Sequence, residues 1–157
     1  MIEVHANLFV GHEGDCFFYE KEGWAVVHGC KIPCHQHAVG YSGNLPRTHP
    51  NYLVLERGSH LFLNMIDPDL PLFMPATFAA TLAFMDKFWG TRKILIHCNQ
   101  GNSRAPSLAL LFLAKRLRVI DGTTFDTAAR DFKRLYPPYQ PGAGLLRHLR
   151  ENWTRIE

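Results

Sequence analysis

Between Arg92 and Leu117 the chain passes, with no spacer, from a short apolar stretch through a polar, glycine-containing turn into a long apolar stretch. That succession restricts the folds open to it. Arg92-Lys93-Ile94-Leu95-Ile96 reads as a buried strand and Pro106 to Leu117 as a buried helix. The octapeptide His97-Cys98-Asn99-Gln100-Gly101-Asn102-Ser103-Arg104 is therefore a strand-to-helix loop. Its backbone N–H groups, with the orphan N–H groups and positive dipole end of the following helix, form a ready anion site. A phosphate fits such a cradle.

Cys98 and Arg104 stand six positions apart in that loop. A helix N-terminus and a fixed arginine both favour a thiolate over a thiol, so Cys98 is expected to be nucleophilic without a base to deprotonate it at each turnover. Arg104 presents a planar fork that can bind two phosphoryl oxygens at once and follow the charge as phosphorus becomes trigonal bipyramidal. Lysine lacks that fork. Gly101 allows the backbone to turn inward with φ > 0. The Ser103 hydroxyl is expected within reach of the Cys98 sulfur, where it would stabilise the thiolate as a leaving group. Asn99, Gln100, Gly101, Asn102, Ser103 and Arg104 are the phosphate-binding residues on this reading.

These residues resemble a known family. His97-Cys98-x5-Arg104, with Ser103 before the arginine, is similar to the loop of cysteine-dependent protein tyrosine and dual-specificity phosphatases, and the order G-x-S-R resembles the dual-specificity branch. Ala105 and Pro106 follow the arginine, where that branch often has Ser or Thr. Asn7-Leu8-Phe9-Val10-Gly11 resembles the family's opening strand; Leu135-Tyr136-Pro137-Pro138-Tyr139-x-Pro141-Gly142 and Asn152-Trp153 resemble the ending of small bacterial and phage members. The resemblance implies phosphate monoester hydrolysis through a cysteinyl-phosphate, with phosphotyrosine and phosphoserine or phosphothreonine proteins as substrates and no metal or organic cofactor. In 157 residues there is little room for the added loop that deepens the pocket of larger phosphotyrosine-specific relatives.

Such chemistry needs a general acid, because an alkoxide or phenolate leaves poorly unless protonated as the P–O bond breaks. Asp67-Pro68-Asp69-Leu70-Pro71 offers two carboxylates in a proline-punctuated loop. Asp67 stands 31 residues before Cys98, the separation the resemblance implies, and is chosen; Asp69 is the second choice.

Elsewhere Asn7–Gly11, Trp24–His28 and Leu61–Ile66 read as strands, with a long polar loop rich in His, Gly, Asn and Pro reaching about Pro50. Ala76–Phe88, Phe125–Leu135 and Gly144–Asn152 read as helices beside the one from Pro106. Phe78, Phe84, Phe88 and Trp89 recur at helical spacing and read as core. Strands early, alternating with helices later, predict an α/β fold with a small, largely parallel central sheet flanked by helices, dual-specificity phosphatase-like, in one phosphatase domain over residues 1–157. An apolar fraction of 46% with no run of 18 apolar residues argues against a membrane span. No secretory leader is evident, so a reducing cytoplasm is the expected compartment.

A net charge of +3 suits an anionic substrate but is too modest and unclustered to argue nucleic-acid binding. The loop carries Asn99, Gln100 and Asn102 where a polyanionic inositol phosphate would recruit cations. An RNA 5′-triphosphatase remains open, as does a phosphate-binding module without turnover. Cys30, Cys34, His35 and His37 could each ligate zinc, yet their C-x3-C-H-x-H spacing does not match the paired spacings that close a tetrahedron, and an ordinary loop is expected there. Cys16, Cys30 and Cys34 are equally eligible to trap an oxidised Cys98 as a disulfide.

Overall fold

A computed structural model describes all residues, 1–157. Its centre is the predicted strand-loop-helix. Six strands, β1 (Ile2–His5), β2 (Leu8–Gly11), β3 (Trp24–His28), β4 (Val54–Arg57), β5 (His60–Leu63) and β6 (Lys93–His97), form one sheet in the order β1-β2-β6-β3-β5-β4. The pairs β2–β6, β6–β3 and β3–β5 are parallel, whereas β1 and β4 close the two edges antiparallel. The sheet is thus parallel in its interior, as expected, with two antiparallel edges.

Alternation along the inner strands sorts their side chains onto two faces. Ala25 and Val27 of β3, Leu61 and Leu63 of β5, and Ile94 and Ile96 of β6 join the main apolar core. Helices α2 (Pro75–Phe88), α3 (Arg104–Phe112), α4 (Phe125–Leu135) and α5 (Ala143–Asn152) pack onto it, and Val4 of β1 with Leu8 and Val10 of β2 extend it; α1 (Gln36–Val39) lies apart from it. Every residue of α3 from Ala105 to Phe112 is buried, and a wide π-type turn continues it over Leu113–Leu117. Phe78 and Phe84 are fully buried, with Phe88 and Trp89 packed against the same core. The intervening strand positions, among them His28, His60, Phe62 and His97, leave the helical core for the other face.

Helix starts follow their local signals. Pro75 opens α2 at a position where its missing N–H costs nothing, and the Thr124 hydroxyl caps α4 by accepting the Thr127 N–H at 3.1 Å.

Three features differ from the sequence expectation. β1 and β4 are four-residue edge strands, too short for a firm period of two. Within the segment expected as loop, Lys31–His35 forms a π-type turn that leads into α1. The strand expected to reach Ile66 stops at Leu63, since beyond it the chain turns to other partners. There the Met65 carbonyl accepts both the Lys31 N–H at 2.9 Å and Arg104 Nη1 at 3.0 Å.

Candidate active site

The loop from His97 to Arg104 leaves the carboxyl end of β6 and opens onto α3, the position where open α/β sheets place ligands. Gly101 has φ = 76°, and a Cβ there would stand 2.9 Å from the Gly11 carbonyl oxygen, so the turn admits only glycine without strain. The loop carbonyls point outward and are taken up by the surrounding chain. Glu13 N–H donates to Asn99 O at 3.1 Å, the Tyr136 hydroxyl to Gly101 O at 2.6 Å, and Gln140 N–H to Asn102 O at 2.7 Å. Because C=O and the next N–H lie antiparallel in a planar peptide, these bonds turn the N–H groups of Gln100, Asn102 and Ser103 inward. The Gly101 N–H points at Cys98 Sγ, 3.3 Å away.

Cys98 is 1% exposed and forms the floor of a pocket of about 280 Å³ lined otherwise by Asp67, Asn99, Gln100, Asn102, Ser103 and Arg104. Apart from the cysteine, every lining residue is polar or charged. Arg104 is anchored twice: Nη1 donates to Met65 O at 3.0 Å and Nη2 to Asn99 Oδ1 at 2.8 Å. Asn99 is itself held by donating Nδ2 to Ile32 O at 2.8 Å. Arg104 Nε is buried with no partner, an uncommitted donor on a group that cannot lose its charge. Burial, with the Cys98 sulfur and Asp15 nearby, pushes the Tyr136 phenol up, which keeps it a donor to the loop.

Of the loop residues singled out from sequence, Cys98, Asn99, Gln100, Asn102, Ser103 and Arg104 line the pocket and Gly101 does not; of the two acid candidates Asp67 lines it whereas Asp69 does not. One expected contact is corrected. The Ser103 oxygen accepts the Gly142 N–H at 2.8 Å and makes no hydrogen bond to Cys98; the backbone N–H of Gly101 makes that bond instead. Ser103 is drawn away because Gly142 packs directly beside the loop, where a Cβ would meet the Asp67 carboxylate.

Three supports were not legible beforehand: Tyr136, the Met65 carbonyl and the double role of Asn99. The run Tyr136-Pro137-Pro138-Tyr139 was the one available signal, a rigid turn with a phenol at either end.

His97 directs its side chain away from the pocket. Its Nε2 lies 2.7 Å from His28 Nδ1, and the two residues are register partners on β6 and β3. Burial pushes His28 down to about 4, so its ring is neutral. Cys30, Cys34, His35 and His37, set aside as a zinc set on their spacing, do not converge: the two His35 ring nitrogens bond the Tyr41 hydroxyl and the Asn51 carbonyl, and His37 packs on Phe18.

No family model and no curated protein matches the chain. Solved structures do. A human tyrosine phosphatase-like serine/threonine/tyrosine-interacting protein superposes with a TM-score of 0.61 and 18% identity, over 98% of this chain and 95% of its own. Human DUSP28 gives 0.62 and 17%, over 99% and 93%, and a Cydia pomonella PTP-2 phosphatase gives 0.62 and 18%, over 96% and 88%. The chain therefore has the dual-specificity phosphatase fold.

Proposed function

We propose that the chain is a phosphoprotein phosphatase that hydrolyses phosphotyrosine and phosphoserine or phosphothreonine through a cysteinyl-phosphate, its machinery carried in one domain over residues 1–157. The observation that carries this reading is the buried Cys98 sulfur beneath a ring of inward N–H groups, beside an arginine held in place by two bonds with its Nε free. A phosphoryl group entering the pocket meets the loop N–H groups of Gln100, Asn102 and Ser103 and the Arg104 fork, which together offset its charge. Cys98 attacks phosphorus in line; the P–S bond forms as the P–O bond breaks, and Asp67 gives its proton to the departing oxygen. Water then attacks phosphorus, Asp67 takes the water proton, and the P–S bond breaks to return the thiolate and free phosphate. Arg104 serves both steps by following the equatorial oxygens.

The lining supports the choice of substrate class. With no lysine and only one arginine in the pocket, it suits one phosphoryl group rather than a polyphosphate, which favours a phosphoprotein over a 5′-triphosphorylated RNA. No helix is long and apolar enough to cross a membrane. Four free thiols fit a reducing cytoplasm.

Initial rates on an aryl phosphate, phosphotyrosyl and phosphoseryl peptides and a triphosphorylated RNA test the reading. The monoesters are expected to turn over, and Cys98→Ser to abolish turnover while retaining phosphate binding. Binding without turnover in the native chain would leave a recognition module, and preference for the RNA end would move the substrate. More than a few per cent of native rate in Cys98→Ser would remove the nucleophile.

A further inference from the structure

Behind the phosphate loop, on the sheet face away from the helical core, four ligand atoms meet: Cys16 Sγ, His28 Nδ1, Cys34 Sγ and His97 Nε2 all lie within 4.8 Å of one another. They come from four separate places in the chain: the segment after β2, the end of β3, the Lys31–His35 turn and the end of β6. The sheet dictates half of the cluster, since parallel register sets His28 opposite His97 on one face. Three of the four residues are buried and Cys16 is half-buried.

The spacing is that of a tetrahedral metal centre. With Zn–S of about 2.3 Å and Zn–N of about 2.0–2.1 Å, ligand atoms in a tetrahedron stand roughly 3.7 Å apart for two sulfurs, 3.5 Å for sulfur and nitrogen and 3.3 Å for two nitrogens. Here the sulfurs are 3.8 Å apart, Cys16 Sγ is 3.5 Å from His28 Nδ1, and Cys34 Sγ is 4.0 Å from His97 Nε2. The two nitrogens, at 2.7 Å, must part by roughly half an ångström to seat an ion.

An outer hydrogen bond orients one of the imidazoles as a ligand. The Tyr19 carbonyl can only accept, so His60 Nε2, 3.0 Å away, carries a proton. With that nitrogen donating, His60 Nδ1 is the acceptor for His28 Nε2 at 3.0 Å. His28 Nδ1 is left with its lone pair aimed into the cluster, the arrangement in which a metal-ligating histidine donates its other N–H outward. Phe62 and Phe18 stack on the same ring at 4.3 and 5.3 Å.

We propose that Cys16, His28, Cys34 and His97 bind one zinc ion, a closed S₂N₂ site that staples the base of the phosphate loop from behind. Two thiolates and two imidazoles select a borderline-soft divalent ion of tetrahedral preference, and four protein ligands leave no open position for substrate. The ion's part is structural, through its ligand His97, the residue next to Cys98. A disulfide between Cys16 and Cys34 would engage the two sulfurs alone and leave both imidazole nitrogens directed at it.

The site does not rest on the phosphatase reading, because metal content is measured without turnover. The reduced full chain, purified without chelator, is analysed for zinc by mass spectrometry; a metal-free sample prepared by unfolding in chelator is refolded and titrated with Co²⁺. About one zinc per chain is expected, and the cobalt form should show visible bands of tetrahedral intensity with thiolate-to-cobalt charge transfer. Cys16→Ser and Cys34→Ser are expected to fall below about a tenth of an equivalent, whereas Cys30→Ser retains the ion. A native chain that holds no zinc and gives an octahedral cobalt spectrum would overturn the proposal, without need of any variant. So would full metal retention in the Cys16→Ser/Cys34→Ser double variant, or a Cys16–Cys34 disulfide in protein kept under reducing buffer.

Discussion

Replacing Arg104 by lysine keeps the charge and removes the fork, and the structure allows the loss to be counted. Guanidinium offers five N–H donors. Two are spent on Met65 O and Asn99 Oδ1, leaving three, including the buried Nε–H, for a phosphoryl group. Lysine has three donors in all, so one that kept both anchors would have a single donor left, and one that gave them up would lose its position. A lysine that keeps its anchors thus loses two charge-assisted hydrogen bonds to the transition state, at roughly 1.5–3 kcal/mol each. A loss of roughly 3–6 kcal/mol corresponds to about 10²–10⁴-fold in kcat/KM. The assay is steady-state hydrolysis of an aryl phosphate, with phosphate inhibition measured alongside. Arg104→Lys should be nearly as slow as Arg104→Ala, and phosphate should bind more weakly to both. A lysine variant within about tenfold of the native enzyme would refute the reasoning, because the transition state would then need charge and not geometry.

Asp67→Asn should slow a substrate with a poor leaving group by roughly 10²–10⁴-fold and spare activated esters, while Asp69→Asn changes neither; the reverse pattern would move the acid to Asp69. Tyr136→Phe strands the buried Gly101 carbonyl, so urea denaturation should show a loss of about 1–3 kcal/mol, accompanied by slower turnover. Gly101→Ala forces a side chain into left-handed backbone at about 1–2 kcal/mol before any clash with Gly11, and should reduce phosphate affinity as well as stability. Vanadate should inhibit competitively, and EDTA added to the assay should leave initial rates unchanged, since the proposed mechanism draws on Cys98, Arg104 and Asp67 alone and the proposed zinc is buried; competition that fails for vanadate would count against the trigonal bipyramidal transition state.

Much of the site was legible because its parts are contiguous. Cys98, Arg104 and Gly101 sit in one octapeptide whose flanks announce a strand and a helix by composition alone. What escaped was long-range. Tyr136 reaches Gly101 across 35 positions and Arg104 reaches Met65 across 39, pairings that no local pattern encodes. Ser103 was misjudged for the same reason, because the competing donor, Gly142, is 39 residues away. The proposed metal site shows the limit most plainly: the sequence brought Cys30, Cys34, His35 and His37 to notice and set them aside on their spacing, whereas register and turn geometry gather Cys16, His28, Cys34 and His97. Edge strands β1 and β4 were missed because four residues carry too little periodicity to outweigh turn-like neighbours.

The segment from Tyr136 to Gly142 grips the phosphate loop at three consecutive residues, Gly101, Asn102 and Ser103. On a ribosome, that grip makes Cys98 wait for its full cradle. Cys98 is synthesised after Glu13, Ile32 and Met65, which hold one half of the loop, and before the residues that close these three bonds on the other half. Until then the Gly101–Ser103 half of the loop lacks the bonds that fix it. Once the grip closes, the cradle is rigid before any substrate arrives, and binding a phosphoryl group carries little further ordering cost. The complete cradle is thereby tied to near-completion of this fold, and a partly made chain carries the cysteine with its cradle half held.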